Sequence, residues 1–124
     1  MNKSNTSILL VEDDRSLREL VTMVLELEGY AVTTANNGQE AIDYLSKHEV
    51  ALIILDLFMP VLDGVHVMHW IRVEHVSDTP VLIVTAMADD KTRSTIMAAG
   101  ANVIVKKPFD VKTLVQFVDE LLKQ

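Results

Sequence analysis

The sequence predicts an α/β fold, a doubly wound parallel sheet of five strands with helices on both faces. Two observations carry that expectation. Strand-length runs recur at residues 8–11, 31–34, 51–55, 81–84 and 102–105, and the segments between them place apolar residues at helical spacing. The run Ala51-Leu52-Ile53-Ile54-Leu55 is apolar at every position, as befits a strand covered on both sides.

The first strand, residues 8–11, follows Ser7 and stops at Glu12-Asp13-Asp14. Asp14 reads as the N-cap region of helix one, expected over residues 16–28, with Leu17, Leu20, Val21, Val24 and Leu25 inward and Gly29 as its stop. After the second strand, Asn37-Gly38-Gln39-Glu40 opens helix two, which buries Ala41, Ile42 and Leu45. The third strand closes on Asp56, followed by Leu57-Phe58-Met59-Pro60. Asp63-Gly64 opens helix three, with Val65, Met68 and Ile71 as its inner face and Val67 and Trp70 partly outward. The fourth strand ends at Thr85-Ala86, and Asp89 or Asp90 caps helix four, which ends at Gly100. The fifth ends at Lys106-Lys107-Pro108-Phe109, and helix five starts at Asp110 with Leu114, Phe117, Val118 and Leu121 inward.

The 124 residues, 49% hydrophobic, are enough for one core, so residues 1–124 are expected to form a single domain. A net charge of −7 leaves no electrostatic footprint for nucleic acid or an anionic membrane, and direct DNA binding by this chain is not expected. There is no cysteine, which removes disulfide and thiolate chemistry. Residues 1–6 are short and polar, unlike a signal peptide, and no apolar run approaches the roughly 18 residues of a membrane span. A cytoplasmic protein is the expectation.

Strands that lie side by side in one parallel sheet would bring Glu12, Asp13 and Asp56 to the same carboxyl edge, where α/β sheets bind ligands. Like charges about 4 Å apart repel by roughly 4 kcal/mol at an effective dielectric near 20. Either protons or a cation must relieve this; at neutral pH a hard divalent cation is the more favourable solution, and Mg²⁺ suits carboxylate and phosphate oxygens. Thr85 and Lys107 add a hydroxyl and an ammonium to that edge. The set is suited to phosphoryl handling: a carboxylate nucleophile, a cation to screen it, and donors for phosphoryl oxygens.

With those residues in view, the chain resembles the receiver domain of bacterial two-component response regulators over essentially its whole length. The resemblance rests on Val11-Glu12-Asp13-Asp14, on Asp56-Leu57-Phe58-Met59-Pro60 followed by Asp63-Gly64, on Val84-Thr85-Ala86, and on Lys107-Pro108-Phe109. Each string is weak alone; four in order, each at a strand end, are specific. The resemblance implies a flavodoxin-like fold with strand order 2-1-3-4-5. It implies that Asp56 accepts a phosphoryl group from a phosphohistidine on a sensor histidine kinase or phosphotransfer protein. Asp13, Asp56 and the backbone carbonyl of Phe58 would then ligate Mg²⁺, with Glu12 acting at the metal mainly through water. Thr85 would hydrogen-bond the phosphoryl group, Lys107 would pair with it, Lys106 would face solvent, and Met59, Pro60 and Gly64 would shape the loop beyond the acceptor.

Such a domain is a switch with self-directed chemistry, not an enzyme acting on other substrates. Two rival readings are a haloacid-dehalogenase-like aspartyl-phosphate phosphatase and a receiver-like interaction module that is never phosphorylated. The first needs a second acid two residues after the nucleophile, where this chain has Phe58. The intact acid, Thr and Lys set argues against the second. The family often has an aromatic residue three positions before the matching Lys; here Ile104 stands there. An output partner or self-association is expected through the face of helix four, strand five and helix five, by repacking of Ile104 and Ala98. His66 and His69 have helical i, i+3 spacing but no third ligand in view. The methionines read as core filler, Met87 being the possible exception because it lies just beyond Thr85. The chain ends at the close of helix five, compatible with a stand-alone regulator or a domain of a longer protein.

Overall fold

The computed structural model describes residues 6–59 and 61–123. Five parallel strands, β1 (Ser7–Val11), β2 (Ala31–Ala35), β3 (Leu52–Asp56), β4 (Val81–Thr85) and β5 (Val103–Lys106), form one sheet in the order β2-β1-β3-β4-β5. The helices are α1 (Arg15–Leu27), α2 (Gly38–Leu45), α3 (Gly64–His69), α4 (Asp90–Ala98) and α5 (Val111–Leu122). A π-helical turn, Trp70–Glu74, prolongs α3.

Strand parity explains why the central strands are apolar throughout. Leu9, Val11, Ile53, Leu55, Val81 and Ile83 point to one face, into a core with Leu45 of α2, Val67 and Met68 of α3, Ile71 of the π-helical turn and Ile96 of α4. Ile8, Leu10, Leu52, Ile54, Leu82 and Val84 point to the other, into a core with Val21 and Leu25 of α1 and Leu114 and Val118 of α5. Both faces of β1, β3 and β4 are therefore dry, and alternation would leave polar groups buried. The edge strand β2 is less apolar, with Ala31 and Thr34 exposed.

Four helix starts are set by side-chain caps. The carboxylates of Asp14, Asp63 and Asp110 accept from the backbone N–H groups of Leu17, His66 and Lys112, and the amide oxygen of Asn37 accepts from Glu40. Gly29, at φ 104°, follows α1 in a left-handed conformation open to glycine.

Three packing expectations are corrected. Val67 is buried and Val65 exposed, because Asp63 caps α3 so that Val67, Met68 and Ile71 share its inward stripe; Trp70 is partly buried and stacks on His75 with ring centroids 4.7 Å apart. Leu20 of α1 is exposed, since Val21 and Leu25 already fill the space under the sheet. Among the described methionines only Met68 is fully buried; Met23, Met87 and Met97 lie on the surface. Among the described residues, no helix is long and apolar enough to cross a membrane.

Candidate functional site

The sheet register brings the strand ends level. Val11 of β1 pairs with Leu55 of β3, Asp56 with Val84 of β4, and Thr85 with Lys106 of β5. Glu12 and Asp56 thus extend from neighbouring strands at the same height. This is also where the connections diverge: α1 packs on one face of the sheet and α2 and α3 on the other, which opens a crevice at the carboxyl edge between β1 and β3.

Glu12, Asp13 and Asp56 converge there, each offering a carboxylate oxygen within 4.8 Å of the other two. Glu12 and Asp56 are nearly sealed from solvent, 2% and 4% exposed, whereas Asp13 is open to it. Lys107 reaches over from the end of β5. Its ammonium lies 2.9 Å from Glu12 Oε1 and donates to Asp56 Oδ2 at 3.1 Å. Asp56 Oδ1 accepts from the Phe58 backbone N–H at 3.3 Å, and Glu12 Oε2 accepts from the Asp14 N–H at 3.2 Å.

One ammonium does not compensate three acids. Burial pushes the Glu12 carboxyl up to about 7, and the nearby Asp56 charge adds to this although Lys107 opposes it. Burial alone would lower the Lys107 pKa, but its contacts with Glu12 and Asp56 raise it. The site therefore holds a surplus of negative charge, with only oxygen donors among the three acids. That donor set fits Mg²⁺, which is commonly held by one or two carboxylates plus water and phosphate.

Thr85 is fully buried at the end of β4. Its hydroxyl donates to the Met87 carbonyl at 3.1 Å and accepts from the Met87 N–H at 3.0 Å, so its one proton is committed to the β4–α4 loop. Gly64 N–H donates to the Leu57 carbonyl at 2.8 Å, and a Cβ at position 64 would sit 2.9 Å from Leu57 Cα and 3.0 Å from the Asp56 carbonyl oxygen. Only glycine lets α3 approach the acceptor loop this closely. Met59 is partly buried, while Pro60 lies outside the described residues. The Lys107–Pro108 peptide bond is cis.

The Phe58 and Met87 side chains, two residues beyond Asp56 and Thr85, are apolar and 51% and 55% exposed. Lys106 is exposed. Ile104 packs at the margin of the core that contains Ile96, but Ala98 is exposed and takes no part, because Ile96 is the buried position of α4. His66 binds Asp63 through Nδ1 at 2.8 Å, and Glu12, Asp13 and Asp56 are the only metal-ligand cluster among the described residues. Arg18, which the sequence reading passed over, folds back from α1 so that Nη1 donates to the Glu12 carbonyl at 2.9 Å and the Asp13 carbonyl at 3.4 Å. Its spacing, one helical turn after the Asp14 cap, was the available signal.

Comparison with known proteins follows the same pattern. Residues 8–119 match the family model described as the response regulator receiver domain. A probable transcriptional regulator, ycf27, of Cyanidium caldarium is 38% identical over 99% of this chain and 49% of its own length. A CpxR homolog, a transcriptional regulatory protein of Haemophilus influenzae, is 39% identical over 96% of this chain and 51% of its own. The chain thus spans about half the length of these curated relatives. Among solved structures, the Francisella response regulator 1452 receiver domain superposes with a TM-score of 0.91 at 27% identity, covering 96% of this chain and 98% of that one. The chemotaxis protein CheY4 of Vibrio cholerae gives 0.88 at 31% identity, with coverage of 94% and 98%. The sheet order, the site at its carboxyl edge and the sequence match agree: this chain belongs to the receiver domain family of two-component response regulators.

Proposed function

We propose that residues 1–124 make up one receiver domain, a cytoplasmic phosphorylatable switch in which Asp56 takes a phosphoryl group from a phosphohistidine on a sensor histidine kinase or phosphotransfer protein. The observation that carries this reading is Lys107 bridging Glu12 and Asp56 beside the solvent-open Asp13, with the Thr85 hydroxyl at the end of the next strand. In the transfer an Asp56 carboxylate oxygen bonds to phosphorus while the nitrogen–phosphorus bond breaks, its electron pair returning to the donor imidazole. Hydrolysis reverses the gain: water attacks phosphorus, the oxygen–phosphorus bond breaks, and the carboxylate is regenerated with inorganic phosphate. Asp13, Asp56 and the Phe58 carbonyl would hold Mg²⁺, with Glu12 reaching it through water. The bound ion supplies positive charge for the phosphoryl oxygens.

The remaining groups are this chain's own. Lys107 already touches Asp56 and needs little movement to pair with a phosphoryl oxygen. Thr85 must give up its bond to the Met87 carbonyl to donate to the phosphoryl group, exchanging a neutral hydrogen bond of about 1 kcal/mol for a stronger charge-assisted one. That exchange releases the loop leading into α4 and converts a local charge change into a change of shape. A groove of about 510 Å³ over Leu17, Leu20, Pro108 and Phe109 opens beside the site and offers a protein donor an apolar seat. The two curated relatives, described as a probable transcriptional regulator and a transcriptional regulatory protein, are about twice this length, which favours transcription as the output. No feature of the site favours a phosphatase of the haloacid-dehalogenase type, because the second acid is replaced by Phe58.

Incubation with acetyl phosphate and Mg²⁺ tests the proposal by intact mass. The expected result is a gain of one phosphoryl unit, blocked by Asp56→Asn and by excess chelator. Full labelling under either condition sinks the assignment.

A further inference from the structure

Among the described residues the Asp13 side chain has no hydrogen-bond partner, although Asp13 is the most accessible of the three acids. The backbone of the turn therefore sets where that side chain starts, and no side-chain hydrogen bond sets its direction. That turn is secured from three directions: the Glu12 N–H donates to the Ala35 carbonyl of β2 at 3.1 Å, the Asp14 N–H donates to the Glu12 side chain, and the Asp14 carbonyl accepts the first intrahelical bond of α1 from Arg18 N–H at 2.9 Å. The two remaining carbonyls, of Glu12 and Asp13, accept from the Arg18 guanidinium. Arg18 is half-buried, and its own backbone is fixed inside α1, so the guanidinium ties the acid turn to a rigid element.

We propose that Arg18 is a positioning residue for cation binding: by occupying the Glu12 and Asp13 carbonyls it aims the Asp13 carboxylate at the Mg²⁺ site and keeps those carbonyl oxygens out of the coordination shell. This rests on the Mg²⁺ reading given above. The sign of the effect separates positioning from simple charge. A guanidinium beside a cation site repels the cation, so removing the charge alone would tighten binding. Removing a tether that orients a ligand loosens binding, and outer-shell partners commonly cost 10- to 100-fold when lost. Mg²⁺ demands near-octahedral geometry whereas Ca²⁺ tolerates irregular shells, so a loosened turn penalises Mg²⁺ more.

Titration calorimetry of Mg²⁺ and Ca²⁺ into wild type, Arg18→Met and Arg18→Lys decides the matter, together with amide exchange of the metal-free proteins. Arg18→Met is expected to weaken Mg²⁺ binding roughly tenfold, to weaken Ca²⁺ binding less, and to speed exchange at residues 13 and 14. Arg18→Lys, which keeps the charge but only part of the hydrogen bonding, should fall between. Unchanged or tighter Mg²⁺ binding in Arg18→Met overturns the proposal. So does a lower melting temperature with an unaltered Mg²⁺ to Ca²⁺ preference, the mark of a purely structural role. If Arg18→Met does not fold, the preference of Arg18→Lys decides by the same criterion. Failure of the wild type to bind either cation removes the Mg²⁺ reading and this inference together, whereas wild-type binding with unaltered variants removes this inference alone.

Discussion

Replacing Glu12 with Gln isolates the electrostatic strain of the acid cluster. The carboxyl is raised from 4.5 to about 7 by burial and by Asp56, and at roughly 1.4 kcal/mol for each tenfold change in proton affinity the difference is about 3 kcal/mol. Below pH 4.5 the group is protonated in both folded and unfolded chains and contributes no difference. Between about pH 4.5 and 7 the folded protein keeps a proton that the unfolded chain has released, so stability falls as pH rises. Above pH 7 both forms are ionised and the loss is complete. The rise to about 7 is what remains after Lys107, by pairing with ionised Glu12, has opposed the effect of burial. Urea unfolding in excess chelator from pH 4 to 8, compared between wild type and Glu12→Gln, reads Glu12 together with its coupling to Asp56 and Lys107, because the acids outside the cluster titrate alike in both. Wild type should lose up to about 3 kcal/mol relative to the variant across the window. Parallel stability curves would refute the claim that Glu12 is a buried acid under strain.

Three further outcomes follow from the geometry. Phe58→Asn and Met87→Glu place polar groups where water would approach the acyl phosphate and remove apolar bulk that is half exposed; each should speed decay of phosphorylated protein, and unchanged decay in both would show that these side chains do not control it. Gly64→Ala puts a Cβ about 3 Å from backbone atoms of Leu57 and Asp56, so it should lower the melting temperature and slow phosphorylation by acetyl phosphate, with normal values for both excluding a constraint there. Met68→Ala should cost about 2–5 kcal/mol in chemical denaturation, since Met68 is fully buried in the core under α3; a loss below about 1 kcal/mol would mean that α3 is not fixed by that contact.

Ile104 bears on how the switch is transmitted. It packs at the edge of the core near Ile96, so displacement of Thr85 can reach α4 through repacking at these two residues. Amide exchange with and without beryllofluoride should change between residues 86 and 109. Unchanged protection would remove the α4, β5 and α5 face as the output surface and turn attention to Trp70.

The strands were legible because burial on both faces forces continuous apolar runs, and the helix starts because Asp14, Asn37, Asp63 and Asp110 are capping residues. Helix faces were harder. The pattern of α3 admits two inward stripes, and the choice of Val67 over Val65 depends on where the Asp63 cap sets the helix phase and on what the sheet presents beneath it. Exposure of Leu20 and Met23 is likewise invisible in periodicity, since α1 carries more apolar residues than its contact with the sheet can cover.

For the site, the sequence alone determined which groups end the strands: Glu12, Asp13, Asp56, Thr85 and Lys107 are each marked by an apolar run that stops. It could not determine their heights or partners, because register and strand order are set by packing between segments distant in the chain. Only the tertiary structure decided that Lys107 bridges Glu12 and Asp56 and that the Thr85 proton is held by Met87. The same holds for Arg18 reaching back to the acid turn. Hydrogen bonds of this kind depend on ångström-scale placement of side chains, and no spacing along a chain encodes that distance.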